Sequence, residues 1–254
     1  MSNRIAIVTG VSRLEGIGKA ICVELAKQAC DVFFTYWTKY DHQMPWGVKE
    51  NEPELIRKEL QTYGTRCEKL EIDLTADNST ETLFHQAEKQ LGNVSILINN
   101  ATYSTQTTIG DIHSQELDHH YNLNVKATTL LIKEFVNRFN FKNGGRIINM
   151  TSGQSLGKMS NEIAYAMTKS AVEMLTYTIS SDIAAKGITI NAINPGPNDT
   201  GWMSTEVKEQ LAERFPMGRI GTPKDAANLI GFLIKDEAEW ITGQILHSEG
   251  GFRR

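Results

Sequence analysis

An α/β fold, with a parallel sheet covered by helices on both faces, is the architecture this sequence predicts, and three observations predict it. Seven short apolar runs rich in β-branched residues recur along the 254 residues, segments with apolar spacing near 3.6 lie between them, and no Pro-rich or Gly/Ser-rich linker interrupts the alternation. Parallel strands need long crossovers and bury both sheet faces, so this pattern fits one doubly wound domain.

The elements follow in order. RIAIV at 4–8 is a first strand, and TGVSRLEGIG at 9–18 turns it into a helix over 17–29. DVFFTY at 31–36, CEKLEI at 67–72 and VSILIN at 94–99 are the next strands, with a helix over 83–91 between the last two. A helix over 123–139 precedes GRIINM at 145–150, and one over 164–183 precedes GITINAI at 187–193. A last helix over 226–234 leads to GQILHS at 243–248. Two segments break the rhythm, 36–52 and 196–217, and both are too long for ordinary connections.

Bulk properties narrow the partners. A formal net charge of −4, with no basic cluster beyond the pair Arg253 and Arg254, argues against nucleic acid and leaves a small molecule as the default ligand. Three cysteines without C-x-x-C spacing fit a reducing compartment, and neither a signal-peptide core nor eighteen consecutive apolar residues is present. The expectation is a cytoplasmic protein with no membrane partner. His119 and His120 are adjacent rather than one helical turn apart, so no metal site is expected.

The first turn has chemistry available to it. A strand ending in Thr9-Gly10, followed by Ser12, Arg13, Gly16, Ile17 and Gly18 at a helix start, is the geometry in which main-chain N–H groups face an anion. The same glycines also serve a plain β–α turn. NAD enzymes place an acid at the end of the second strand to hold the ribose hydroxyls, whereas NADP requires its absence and a cation instead. Here that strand ends Thr35-Tyr36-Trp37-Thr38-Lys39, with Arg13 and Lys39 nearby, which favours NADP(H).

Tyr165 and Lys169 stand four residues apart and so share a helix face. A free phenol titrates near pKa ~10, and a neighbouring cation lowers an acid by roughly 1–3 units, which suits the phenol to proton exchange. Ser152 follows the strand GRIINM, at the carboxyl edge where open α/β sheets bind ligands, and can hold a substrate carbonyl.

With these residues in place the chain resembles the short-chain dehydrogenase/reductase family over nearly its whole length. The matching pieces run in order: TG…GIG at 9–18, DLT at 73–75, NNA at 99–101, NLNVKAT at 122–128, TS at 151–152, YAMTK at 165–169, NPGPNDT at 194–200 and GRIGTPKDAANLIGFLI…ITGQILHSEGG at 218–251. The tail and length are most similar to the 3-oxoacyl-(acyl-carrier-protein)-reductase-like members. The resemblance implies a single Rossmann-type three-layer αβα sandwich with a seven-stranded parallel sheet, and NADP(H)-dependent interconversion of a carbonyl and an alcohol.

It also implies a catalytic tetrad of Asn124, Ser152, Tyr165 and Lys169. Tyr165 would be the acid in reduction, Ser152 would orient the carbonyl, Lys169 would lower the Tyr165 pKa and grip the nicotinamide ribose, and Asn124 would hold a relay water. The cofactor would lie on Gly10, Ser12, Arg13, Gly16, Ile17, Gly18 and Thr35, with Asp73 and Leu74 at the adenine and Asn100 and Ala101 near its ribose. Pro195, Gly196, Asn198 and Thr200 would meet the carboxamide. A substrate lid over 201–217, carrying Trp202, Met203, Leu211 and Phe215, and a homotetramer built on the helices at 115–140 and 160–185 complete the implied picture.

The chain departs from the family pattern in three places. Thr102 follows Asn-Asn-Ala where the family usually has Gly, the opening turn is two residues longer, with Leu14 and Glu15 extra, and 36–52 is long and aromatic. Tyr36, Trp37 and Trp46 suit either stacking on adenine or an interface. Two other functions stay open on the same fold: a non-catalytic NADP(H)-binding scaffold, and an epimerase or dehydratase.

Overall fold

The computed structural model describes residues 4–44, 46–201 and 203–254. Seven parallel strands form one sheet: β1 (Ile5–Val8), β2 (Asp31–Tyr36), β3 (Cys67–Glu71), β4 (Ile96–Asn99), β5 (Gly145–Met150), β6 (Ile188–Asn194) and β7 (Ile245–His247). Their spatial order is β3-β2-β1-β4-β5-β6-β7. The expected strands are all present: β2 and β5 match to the residue, β6 is shifted by one, and β1, β3, β4 and β7 are one to three residues shorter.

Strands β1, β2, β4, β5 and β6 are buried almost throughout, as a sheet covered on both faces requires. Helices α1 (Ile17–Lys27), α3 (Glu52–Gln61) and α9 (Pro223–Leu233) cover one face, where Ile21, Leu25, Ile56 and Ile230 pack on Val8, Phe34 and Ile98. The other face holds α4 (Ser79–Gln90), α6 (Thr128–Arg138) and α7 (Ile163–Ala184), whose Leu83, Phe84, Phe135 and Ile183 meet Ile7, Leu97 and Ile147. No described helix is long and apolar enough to cross a membrane.

Strand order reverses direction between β1 and β4, so the crevice beyond their carboxyl ends is the ligand position in an open α/β sheet. The two glycine-rich corners there are sterically required. Gly10 has φ +73°, and a Cβ on it would lie 2.6 Å from the Ala101 Cα. A Cβ on Gly18 would lie 2.8 Å from the Gly10 carbonyl oxygen and 2.9 Å from Asn100 Nδ2.

The long helix preceding β5 is not uniform. It runs as α5 (Ser114–His120), a π-helical turn over Tyr121–Ala127, and α6. The apolar period identified only 123–139, because α5 is polar and the wider turn shifts its face. The segment 36–52 contributes a short helix, α2 (Thr38–Gln43), and runs into α3, neither of which the apolar spacing marked. The segment 201–217 contains α8 (Thr205–Ala212). Trp202, part of the expected lid, lies outside the described residues.

Candidate active site

Three loops at the carboxyl edge of the sheet, after β1, β5 and β6, and the helix α7 carry most of the expected residues. The first is the turn between β1 and α1. Gly16 caps α1 without a side-chain hydrogen bond, and no acid occupies the helix's first turn, so its N–H groups remain available to an anion. Asn100 ties this turn to β4: Nδ2 donates to the carbonyls of Thr9 and Gly10, each at 2.9 Å, and its N–H donates to Thr9 Oγ1 at 3.0 Å. Ala101 N–H shares that hydroxyl at 3.0 Å. Thr35 stands beside the turn, its carbonyl accepting from Val11 N–H at 2.7 Å.

Beside this turn lies a cleft of about 600 Å³, within the ordinary range for a small-molecule site. Gly10, Ser12, Arg13, Gly16, Ile17, Gly18 and Thr35 line it, with Asp73, Leu74, Asn100, Ala101 and Thr200. That is the expected cofactor set apart from Tyr165, Lys169, Pro195, Gly196 and Asn198. The glycine cradle, the uncapped N-terminus of α1 and the size of the cleft fit a dinucleotide. No carboxylate ends β2. Asp41 does reach the cleft, but it accepts from Trp46 Nε1 at 2.9 Å.

Arg13 takes a different position from a free phosphate ligand. Its guanidinium lies over the Trp46 ring, 4.6 Å from the centroid, and donates to the Thr200 carbonyl. The extra residues of the turn explain this reach: Leu14 N–H donates to Glu52 Oε1 at 3.0 Å, and Glu15 turns toward Gly201, where a Cβ would collide with its carboxylate.

The second loop follows β5, and the third element is α7. Lys169 is buried, and its Nζ donates to the Met150 carbonyl at 2.8 Å while standing 5.4 Å from the Tyr165 ring centroid. Burial lowers its pKa to about 8. Tyr165 is one helical turn away on the same face, and burial pushes its phenol well above the ordinary value. The nearby Glu162 carboxylate adds to that rise, and a hydrogen bond from Ser152 opposes it. The direction is the reverse of that expected from Lys169 alone, because desolvation outweighs an ammonium that is itself desolvated and held by Met150.

Asn124 sits in the π-helical turn with its side chain fully engaged. Oδ1 accepts from Tyr103 N–H at 2.8 Å and Thr102 Oγ1 at 3.0 Å, and Nδ2 donates to the Tyr103 carbonyl at 2.9 Å and Thr168 Oγ1 at 3.0 Å. The amide is a clamp between the β4 loop and α7. A relay water would have to use main-chain groups of the widened turn, a distortion that recurs at functional sites. Thr102, unusual for the family, contributes its hydroxyl to this clamp.

The loop after β6 closes the far end. Gly196 has φ +66°, Asn198 Nδ2 donates to the carbonyls of Pro195 at 2.6 Å and Gly196 at 3.1 Å, and Asn198 Oδ1 is buried with no hydrogen-bond partner among the described residues. Beyond it, Met203 and Phe215 are buried, and the Phe215 ring meets Phe252 at 4.9 Å.

Residues that sequence reasoning missed come from the long segment. Tyr40 lines the cleft, packs its ring 5.7 Å from Tyr103 and 6.5 Å from Trp46, and is pushed to about pKa 12, chiefly by burial. Tyr103 in turn meets His120 edge-on at 4.8 Å. The aromatic density of 36–52 was the available signal, but nothing local told Tyr40 from its neighbours.

The family model described as enoyl-(acyl carrier protein) reductase matches residues 10–253. The chain is 47% identical over 253 residues to the uncharacterized oxidoreductase YjdA of Bacillus subtilis, spanning 99% of this chain and 97% of that protein. It is 31% identical over 254 residues to a 3-oxoacyl-(acyl-carrier-protein) reductase of Staphylococcus epidermidis, covering 98% of each. A blue fluorescent protein from a metagenomic library, solved in complex with NADPH, superposes with a TM-score of 0.87 at 30% identity, over 100% of this chain and 99% of that one.

Proposed function

The chain belongs to the short-chain dehydrogenase/reductase family, and we propose that it is an NADP(H)-dependent oxidoreductase that interconverts a carbonyl and an alcohol. The observation that carries this reading is Tyr165 one helical turn from the buried Lys169 on α7, with Asn124 tying that helix to Tyr103 in the wall of a glycine-lined cleft. A nicotinamide dinucleotide, held along Gly10, Gly16, Gly18, Asp73 and Asn100, would supply the hydride.

The chain's own residues account for the proton. Ser152 donates to the substrate carbonyl oxygen and so fixes it beside the Tyr165 hydroxyl. Tyr165 gives its proton to that oxygen as negative charge develops there, help worth roughly 10²–10⁴ in rate. Lys169, released from Met150 toward a ribose hydroxyl, stabilises the phenolate left behind. A high phenol pKa in the ligand-free site keeps Tyr165 protonated, the form a reductase needs.

NADP(H) is favoured over NAD(H) by Arg13, Lys19 and Lys39 in the cleft wall and by a β2 end that carries no acid. A 3-oxoacyl thioester is one carbonyl of the right class. The segment 201–217, with Met203 and Phe215 anchored and α8 lying on the surface, is read as a lid over the substrate. The exposed apolar residues Leu130, Met167, Met174 and Tyr177 on α6 and α7 suit a homotetramer, which size-exclusion chromatography with light scattering tests.

Fluorescence titration with NADPH and with NADH, followed by turnover on ketones of graded size, tests the reading. NADPH should bind at least tenfold more tightly and be consumed one for one with ketone. A preference for NADH contradicts the role given to the cations, and tight binding without turnover on any ketone contradicts catalysis.

A further inference from the structure

The cleft has two walls of different origin. One is the glycine turn with Asp73 and Asn100; the other is α2 with Trp37 and Trp46, drawn from the segment that lengthens the β2–α3 connection. We propose that α2 and Trp46 form a roof over the adenosine-diphosphate part of the bound dinucleotide, with Tyr40 and Trp46 as cofactor-positioning residues and Arg13 as its latch. The proposal rests on the NADP(H) reading above and adds a retention function to it.

The roof is held from three directions. Tyr40 packs against Tyr103 and Trp46, with ring centroids 5.7 and 6.5 Å apart. Inside the roof, the buried Asp41 accepts from Trp46 Nε1 at 2.9 Å, so the carboxylate and the indole move together. Arg13 then joins roof to floor, its guanidinium stacked on Trp46 at 4.6 Å while donating to Thr200 across the cleft. A cation over an indole face is attracted by the ring's electron-rich face, by about 0.5–2 kcal/mol depending on exposure.

The roof also has a means of opening. Gly47 follows Trp46 with φ +61° and, among the described residues, nothing within 4 Å of a would-be Cβ, and Met44 leaves α2 in an extended conformation. Toward β3, α2 is tied by the Thr38 N–H donating to Glu71 Oε1 at 3.2 Å, where Glu71 is exposed. A dinucleotide lying against Gly10 and Gly18 is enclosed until the Arg13–Trp46 and Tyr40–Tyr103 contacts part. Those contacts therefore set its rate of release.

Two readouts on the full-length protein test this. NADPH is prebound and its release timed by stopped flow after a chase with excess NADP⁺. Hydrogen exchange of the α2 amides is followed with and without NADPH. Trp46→Ala should release NADPH about tenfold faster, Trp46→Phe should restore most of the retention through its ring face, and NADPH should slow α2 exchange in the parent protein but not in W46A. Equal release from W46A and the parent, or α2 exchange indifferent to NADPH, overturns the roof alone. A parent protein that does not bind NADPH overturns the cofactor reading, and the roof with it.

Discussion

Asn124 holds Tyr103 by both of its main-chain polar groups, accepting from the N–H at 2.8 Å and donating to the carbonyl at 2.9 Å. The same amide reaches Thr168, whose hydroxyl donates to the Tyr165 carbonyl at 2.9 Å, so one side chain joins the β4 loop to α7. Asn124→Ala leaves several buried groups unpaired, each costing about 1–3 kcal/mol. Urea unfolding should show a loss of about 2–4 kcal/mol, and turnover should fall with it. A variant as stable as the parent would mean that water takes over the amide's bonds.

Lys169 makes stability depend on pH. Its folded pKa of about 8 lies below the ordinary 10.5, so between those values the unfolded chain holds a proton that the folded protein has released. Stability from this group therefore rises with pH across that window and is lost as pH falls through 8. Lys169→Met removes the buried cation. Thermal melts of the cofactor-free protein should place the variant above the parent at pH 7, with the gap narrowing by pH 10, while turnover drops by roughly 10²–10⁴. A gap constant across pH contradicts the assignment.

Two glycines with positive φ should respond differently to alanine. At Gly10 the new Cβ meets the Ala101 backbone at 2.6 Å in addition to the strained dihedral, whereas at Gly47 none of the described residues lies within 4 Å. Gly47→Ala should cost only the dihedral, about 1–2 kcal/mol. Gly10→Ala should cost more and should also weaken NADPH binding, since relief of the clash moves the phosphate turn. Equal melting temperatures for the two variants contradict the close packing of Gly10 on β4.

These contrasts show what was legible beforehand. The buried strands and the position of Ser152, Tyr165 and Lys169 follow from alternating apolar runs and from residues at strand ends, which are local signals. Three things were not local. The direction of the Tyr165 shift depends on how completely α7 packs against the β5 loop, not on the four-residue spacing to Lys169. Asn124 looked like a water holder, but its partners Tyr103 and Thr168 are distant in sequence. Arg13 stands in the sequence as a cation of the glycine turn, and only the folded segment 36–52 brings Trp46 beneath its guanidinium.

The central claim is that Tyr165 moves the proton in a reaction whose hydride comes from NADPH. Its most direct test is NADPH oxidation, followed by absorbance, on a ketone the parent protein reduces, with Tyr165→Phe alongside. The predicted result is a fall in kcat of at least 10² with NADPH affinity within about threefold of the parent. Unchanged kcat in Y165F would contradict it.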